Sequence, residues 1–295
     1  MTQHVDDPSV QAAMNLRRLQ PGDEAVLEAF LASHADSSMF IRANARRAGL
    51  SYNAEPYQAV YAARFHGDRM LGVAAHAWTG LVLLQAPEHA AELARTCTEF
   101  SRLPVRGLAG PAAQVREARA ALKLDDAPTA VEGDEVLFAL DLSDLVVPEA
   151  LTRGAIVCRA PRSEERDTLC AWRIAYDVET LGATDSPESR QRAAGFLDAQ
   201  IVDGNAWVAL HEDAPVSLSA FNATLPDIVQ LGGIYTPPAL RGRGFARCAV
   251  AASLLAARER GASRAVLFTG NPNAVRTYEA LGFARVGDYS IVLLR

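Results

Sequence analysis

At 295 residues, with 49% hydrophobic and 22% charged residues, the chain has an ordinary globular composition and enough length for two domains. A formal charge of -6 without a long basic run argues against general nucleic-acid binding. No apolar run approaches the ~18 residues of a membrane span and no basic-then-apolar leader opens the sequence, so a cytoplasmic protein that does not engage membrane is expected.

In chain order, Met1–Gln11 is polar and patternless, read as a loose tail. Ser38–Leu50 reads as a capped amphipathic helix stopping at Gly49. Ala59–His66 and Leu71–His76 form hairpin-like strands, Leu81–Leu84 is another, and Gln85-Ala-Pro-Glu-His-Ala leads from it into a helix. A short β-like run follows at Val105–Ala109. The stretch Asp141–Thr152 is a weak point, which divides the chain into domains 12–147 and 153–295. Beyond it come a strand at Ala155–Arg159, a helix Ser163–Tyr176 with Ser163 as N-cap, and a helix Pro187–Ile201. Strands then follow at Ala206–His211, Val216–Thr224 and Ile228–Tyr235. The alanine-rich Arg247–Arg260 reads as helix, Ala265–Thr269 as a buried strand, and Ala274–Leu281 as a helix closed by Gly282. A hairpin through Leu294 is expected to end the fold.

The halves resemble one another. Gly110, Val115 and Arg116 recur as Gly270, Val275 and Arg276 at an offset of 160, each set after a short strand. Tandem duplication accounts for this, with chance similarity of a heptapeptide as the alternative. The four cysteines lack C-x-x-C spacing and read as reduced packing thiols. The histidines make no ligand pattern, so no metal is expected.

The chemistry concentrates at Thr236–Ala246, Thr-Pro-Pro-Ala-Leu-Arg-Gly-Arg-Gly-Phe-Ala, set between a strand and a helix. Glycines let backbone N–H groups face one point, and a helix start leaves donors unpaired, so the segment suits a phosphate or pyrophosphate. A dinucleotide fingerprint is excluded because no third glycine follows Gly242 and Gly244 at the required spacing. A triphosphate loop is excluded because the segment has no lysine. Arg241, Gly244 and Ala246 instead resemble the coenzyme-A pyrophosphate signature of the GNAT N-acetyltransferase superfamily. Downstream, Asn271, Ala274, Tyr278, Leu281, Gly282 and Phe283 resemble its second signature, so the resemblance spans residues from about Gly154 to Arg295.

That resemblance implies an α/β (α+β) chain of two tandem GNAT-like domains, each a mixed, mostly antiparallel sheet flanked by helices. The sheet of the family is V-shaped, two central strands parting to admit pantetheine. It implies an acetyl-CoA-dependent N-acetyltransferase acting on a primary amine, a small molecule or a peptide. Acetyl-CoA would be held by Ile234, Tyr235, Thr236, Arg241, Gly242, Arg243, Gly244, Phe245, Ala246, Asn271 and Tyr278. Asn271 reads equally as a helix cap. Gly232 and Gly233 would permit a bulge that frees backbone for the coenzyme.

Tyr278 is the candidate general acid, its plain alternative being a core tyrosine. Glu179 is the candidate base, with Asp177 and Asp185 as rivals and a solvated helix-end acid as the alternative. The first half lacks the glycines and arginines of the loop, has Glu88 in their place and Ala118 where Tyr278 would fall, and reads as a degenerate copy. Competing readings are a coenzyme-binding regulatory or scaffold protein without turnover, and transfer of a longer acyl or an aminoacyl group. The sequence leaves the oligomeric state open.

Overall fold

The computed structural model describes residues 14–295; the tail expected over Met1–Gln11 lies outside the described residues. Two runs of elements follow one another in the same order. The first comprises β1 (Met14–Arg18), α1 (Glu24–Ala32), α2 (Met39–Ala48), β2 (Ala59–His66), β3 (Arg69–Ala77), β4 (Leu81–Gln85), α3 (Ala90–Ser101), β5 (Gly107–Pro111), α4 (Ala112–Ala121) and β6 (Thr129–Asp141). A short helix, α5 (Glu149–Thr152), links it to the second. The second comprises β7 (Val157–Arg159), α6 (Arg166–Leu181), α7 (Pro187–Val202), β8 (Ala206–His211), β9 (Ala214–Thr224), β10 (Ile228–Tyr235), α8 (Phe245–Glu259), β11 (Arg264–Thr269), α9 (Pro272–Glu279) and β12 (Ala284–Leu294).

The strands join in one sheet of order β1-β2-β3-β4-β5-β12-β6-β11-β10-β9-β8-β7. The repeats exchange their last strands. β6 of the first pairs antiparallel with β11 of the second, and β12 pairs antiparallel with β5 of the first. β6 and β12 pair with each other from Ala139–Ala284 to Thr129–Leu294, so an approximate two-fold axis passes through the sheet between them. The boundary read between 147 and 153 falls in the connection from β6 to β7, but the sheet itself does not divide there.

Side-chain alternation along β6 serves both halves. Phe138 and Leu140 join the core under α8, with Val250, Leu254 and Tyr278. Leu137 faces the other way, into the core under α1 and α2 with Leu27, Leu31 and Ile41. Met39 of α2 packs on Leu225, Ile228 and Val266 of the second repeat. Ion pairs from Arg264 to Asp36 and Asp141, each at 2.6 Å, tie the repeats further.

Three local expectations need correction. Ser38 stands at the start of α2, but its hydroxyl donates to the Leu31 carbonyl (2.8 Å) and caps no helix N–H. Ser163 is not the cap of α6; Ser163–Glu165 is a 3₁₀ turn, and the Glu165 carboxylate accepts from the Arg162 N–H (2.8 Å) while pairing with Arg159 (2.6 Å). A charged acceptor outcompetes a hydroxyl there. The closing segment is one long strand, not a hairpin, because β12 must span both β5 and β6. No helix among the described residues is long and apolar enough to cross a membrane.

Removing residues 1–152 would take β6 from between β11 and β12 and expose both edges. The fragment 153–295 alone is therefore expected not to unfold cooperatively, whereas the two fragments co-expressed should co-purify. A cooperative thermal transition of the isolated fragment, followed by circular dichroism, would contradict the shared sheet.

Candidate active site

β10 and β11 are parallel neighbours, yet they pair only over Ile228–Gln230 and Arg264–Val266. Both strands continue, β10 to Tyr235 and β11 to Thr269, without pairing to each other. On its far side β10 stays attached to β9, with a one-residue irregularity between Gly232 and Tyr235. This is the bulge expected at Gly232-Gly233. Gly233 has φ +70°, a left-handed value that a side chain disfavours, and a Cβ there would stand 2.8 Å from an Arg173 nitrogen. The parted strands thus leave a cleft with backbone donors and acceptors of Leu231–Tyr235 along one wall.

The cleft leads to the arginine-glycine turn. Pro238–Leu240 is a 3₁₀ turn, Gly242 and Gly244 have φ +80° and +81°, and Gly244 is the residue from which α8 departs. The first N–H groups of α8, from Phe245 and Ala246 to Arg247, have no partner within the helix and point out of its positive end. α8 lies close to the sheet because its buried face is made largely of small residues, among them Ala249, Ala251, Ser253 and Ala257. Arg243 and Arg247 are exposed beside the turn. Arg241 is already engaged, its Nε donating to the Thr236 carbonyl (2.9 Å) and its Nη2 to Glu179 Oε2 (2.7 Å).

Tyr278 lies on α9, just beyond the end of β11, its ring buried against Phe138 of β6 (6.5 Å) and Phe283 (5.7 Å). Burial raises its phenol well above the ordinary value, and Tyr176 and Glu135 add to that shift, so it holds its proton at neutral pH. Asn271 lies at the exposed start of α9, where its side chain caps the helix by accepting from the Asn273 N–H (2.9 Å). Pro272 at the first position completes that start.

The expected bases are distributed differently. Glu179 reaches the outer part of the site and accepts from the Tyr235 hydroxyl (3.2 Å) and from Arg241, so each oxygen is occupied. Asp177 pairs with Arg173 (3.0 Å), and Asp185 forms an exposed pair with Arg190 (2.6 Å).

Three residues that the sequence reading passed over surround the bulge. Tyr176 of α6 lies by the Gly233 backbone N–H, with its phenol raised by burial against the lowering influence of Arg173 and that N–H. Arg173 is buried between the rings of Tyr176 and Phe196, and its Nε and Nη1 have no hydrogen-bond partner among the described residues. Glu135 arrives on β6, from the first repeat. Its carboxyl is raised above the ordinary range by burial alone, without a hydrogen bond or a neighbouring charge to offset it. For Tyr176 and Arg173 the one available signal was their spacing of three on a helix whose next turn carries Glu179.

Residues 172–283 match the Acetyltransferase (GNAT) family. Acetyltransferase Atu2258 of Agrobacterium fabrum is 43% identical over 112 residues, which cover 38% of this chain and 81% of that protein. Among solved structures, a Drosophila protein aligns with TM-score 0.67 at 14% identity over 95% of this chain and 98% of its own. A tandem GNAT protein from the clavulanic acid biosynthesis pathway aligns with TM-score 0.53 at 12% identity, covering 95% of this chain and 97% of that one. At such identities the two structures bear on the fold alone. The fold and the second-half sequence together make this chain a member of the GNAT acetyltransferase family. Among the described residues, no cluster of three or more His, Cys, Asp or Glu side chains is placed to hold a metal ion.

Gly233→Ala tests the bulge. The left-handed backbone alone should cost about 1–2 kcal/mol, and Arg173 must also move, so the midpoint of denaturant unfolding should fall. An unchanged midpoint would show that Gly233 is not under constraint.

Proposed function

We propose that the second repeat transfers an acetyl group from acetyl-CoA to a primary amine by direct attack. The observation that carries this reading is the wall of β10 beyond Gln230, unpaired toward β11 and joined through the Pro238–Leu240 turn to the Arg241–Ala246 segment. A pantetheine arm is an extended chain with two amides, and it can pair with Ile234 and Thr236 as an added half-strand. The pyrophosphate then meets the free N–H groups at the start of α8, with Arg241, Arg243 and Arg247 around it. Tyr235 and Phe245 shape the walls on either side of the turn. Asn271 stands near the far wall.

The thioester comes to rest beside the Gly232-Gly233 bulge, where a backbone N–H can polarise its oxygen. An acceptor amine, of a small molecule or a peptide, attacks the carbonyl carbon. The carbon–sulfur bond breaks as Tyr278 gives its proton to sulfur. A thiol of pKa about 8.5 leaves water for a buried site in this step, so its thiolate needs that proton more than it would outside. A carboxylate must first take a proton from the acceptor ammonium. Glu179 is one candidate, once the coenzyme's phosphates draw Arg241 away from it.

The first repeat takes no coenzyme in this reading. Its β4 joins α3 through residues 86–89 only, with Glu88 in the connection and His89 in a left-handed conformation ahead of the helix. An open cavity of about 380 Å³ beside this connection is lined by Asp68 and Glu88 as well as Arg69, a poor setting for a pyrophosphate. Its contribution is β6.

The reading is tested by incubating the chain with acetyl-CoA and a panel of amines, amino acids and peptides, and following free thiol. Tyr278→Phe keeps the ring and its packing, so acetyl-CoA affinity should persist while turnover falls by about 10²–10⁴. Binding of coenzyme without turnover of any amine would favour a regulatory protein. Full activity of Tyr278→Phe would make Tyr278 a packing residue.

A further inference from the structure

We infer that Glu135, a residue of the first repeat, is the general base of the site in the second. The inference rests on the acetyl-transfer reading above and identifies the group that reading left open.

The exchanged strand sets the geometry. Val136 lies opposite Thr269, the last residue of β11, so Glu135 stands just where β11 ends and the cleft opens. A Cβ on Gly270 would come within 3.8 Å of the Glu135 Cγ. By alternation Glu135 shares its face with Leu137, which packs under α1 and α2. Tyr278 belongs to the core on the opposite face, under α8. Acid and base therefore flank the cleft from two sides, close enough that Glu135 raises the pKa of both Tyr278 and Tyr176. Addition of the amine to the carbonyl gives a tetrahedral carbon bearing both nitrogen and sulfur, so a base reaching the nitrogen and an acid reaching the sulfur serve one centre.

The rival carboxylates face cations or the outer part of the site. Asp177 is ion-paired with Arg173, and Glu179 still accepts from the Tyr235 hydroxyl when Arg241 turns to the phosphates. Around Glu135 the titratable groups are Tyr278 from α9, Tyr176 with the Arg173–Asp177 pair from α6, and Tyr289, its partner across the ladder from β12. Asp134 and Asp288 nearby are paired with Arg116 and Arg285. Among the described residues no cation is placed to lower the Glu135 pKa, and burial raises it above the ordinary carboxylate range.

The protons balance as follows. Glu135 takes one from the acceptor ammonium, and the neutral nitrogen forms its bond to the carbonyl carbon. The carbon–sulfur bond breaks, and the Tyr278 proton goes to sulfur. The surplus proton on the new amide nitrogen returns to the Tyr278 oxygen, and Glu135 releases the first proton to solvent. One ammonium and one thioester become one amide, one thiol and one proton.

The test is turnover of Glu135→Gln with acetyl-CoA and an amine that the wild type uses, across about pH 5–9. The wild-type rate should fall on the acid side as Glu135 protonates, through a pKa above the ordinary carboxylate range. Glu135→Gln should lose about 10²–10⁴ in kcat near neutral pH, lack that acid limb, and bind acetyl-CoA within about threefold of wild type. The fold should not suffer. Because burial raises the folded pKa above the unfolded one, protonation of Glu135 stabilises the fold at pH below the unfolded pKa, and this is lost as pH rises through the folded pKa. At neutral pH the glutamine variant should thus melt no lower than wild type. Glu135→Ala should regain activity with added formate. Glu135→Gln activity within about threefold of wild type with the acid limb retained, or failure of formate to rescue the alanine variant, would overturn the inference alone. A wild type that turns over no amine would overturn the acetyl-transfer reading with it.

Discussion

Everything at this site depends on two parallel strands that stop pairing after three residues. β10 and β11 share the ladder at Ile228–Gln230 and then part. In a buried sheet that leaves main-chain donors and acceptors with a debt of hydrogen bonds, which a folded protein tolerates only where something else meets it. The glycines at 232 and 233 make the parting possible, since the bulge takes a left-handed residue and Arg173 presses against it. The same divergence carries the end of β10 to the arginine-glycine turn and the end of β11 to the cap of α9. One local failure of pairing thereby aligns a backbone wall, a helix start with free N–H donors and a tyrosine.

The second constraint is the exchange of terminal strands. β11 would be an open edge without β6, and β5 would be one without β12. Each repeat closes the other, and exposed edges are thereby avoided. The consequence reaches the candidate site, because the strand that seals β11 also brings Phe138 against Tyr278 and Glu135 beside Gly270. The first repeat, whose β4–α3 connection is only residues 86–89, thus places its β6 beside Tyr278 of the second.

Much of this was legible in the sequence because it is local. β8 and β10 fall on the expected residues, and β9 and β11 each start no more than two residues earlier. Alternation and continuous apolar runs mark such strands directly. The turn glycines, the Asn271-Pro272 helix start and the Gly282 stop are each fixed by backbone chemistry within a few residues. The strand exchange left no such trace. Nothing in Thr129–Asp141 distinguishes pairing with its own β5 from pairing with a strand more than a hundred residues later, since both demand the same pattern. Glu135 was hidden for the same reason. It sits in Glu132-Gly-Asp-Glu135, a segment that carries no motif and whose neighbours on β11 and α6 are set by tertiary structure. Glu179 was found by its place on a helix near the site, but its partners Tyr235 and Arg241 are set by tertiary structure.

The most direct measurement of the central claim is hydrogen–deuterium exchange of the intact chain with and without acetyl-CoA. If the parted strands hold the coenzyme, its amides gain partners along Leu231–Thr236, across the start of α8 at 242–247, and at the end of β6 around Glu135. Residues 85–90 of the first repeat should exchange unchanged. Protection at 85–90, or none along 231–247 at saturating coenzyme, would contradict the account.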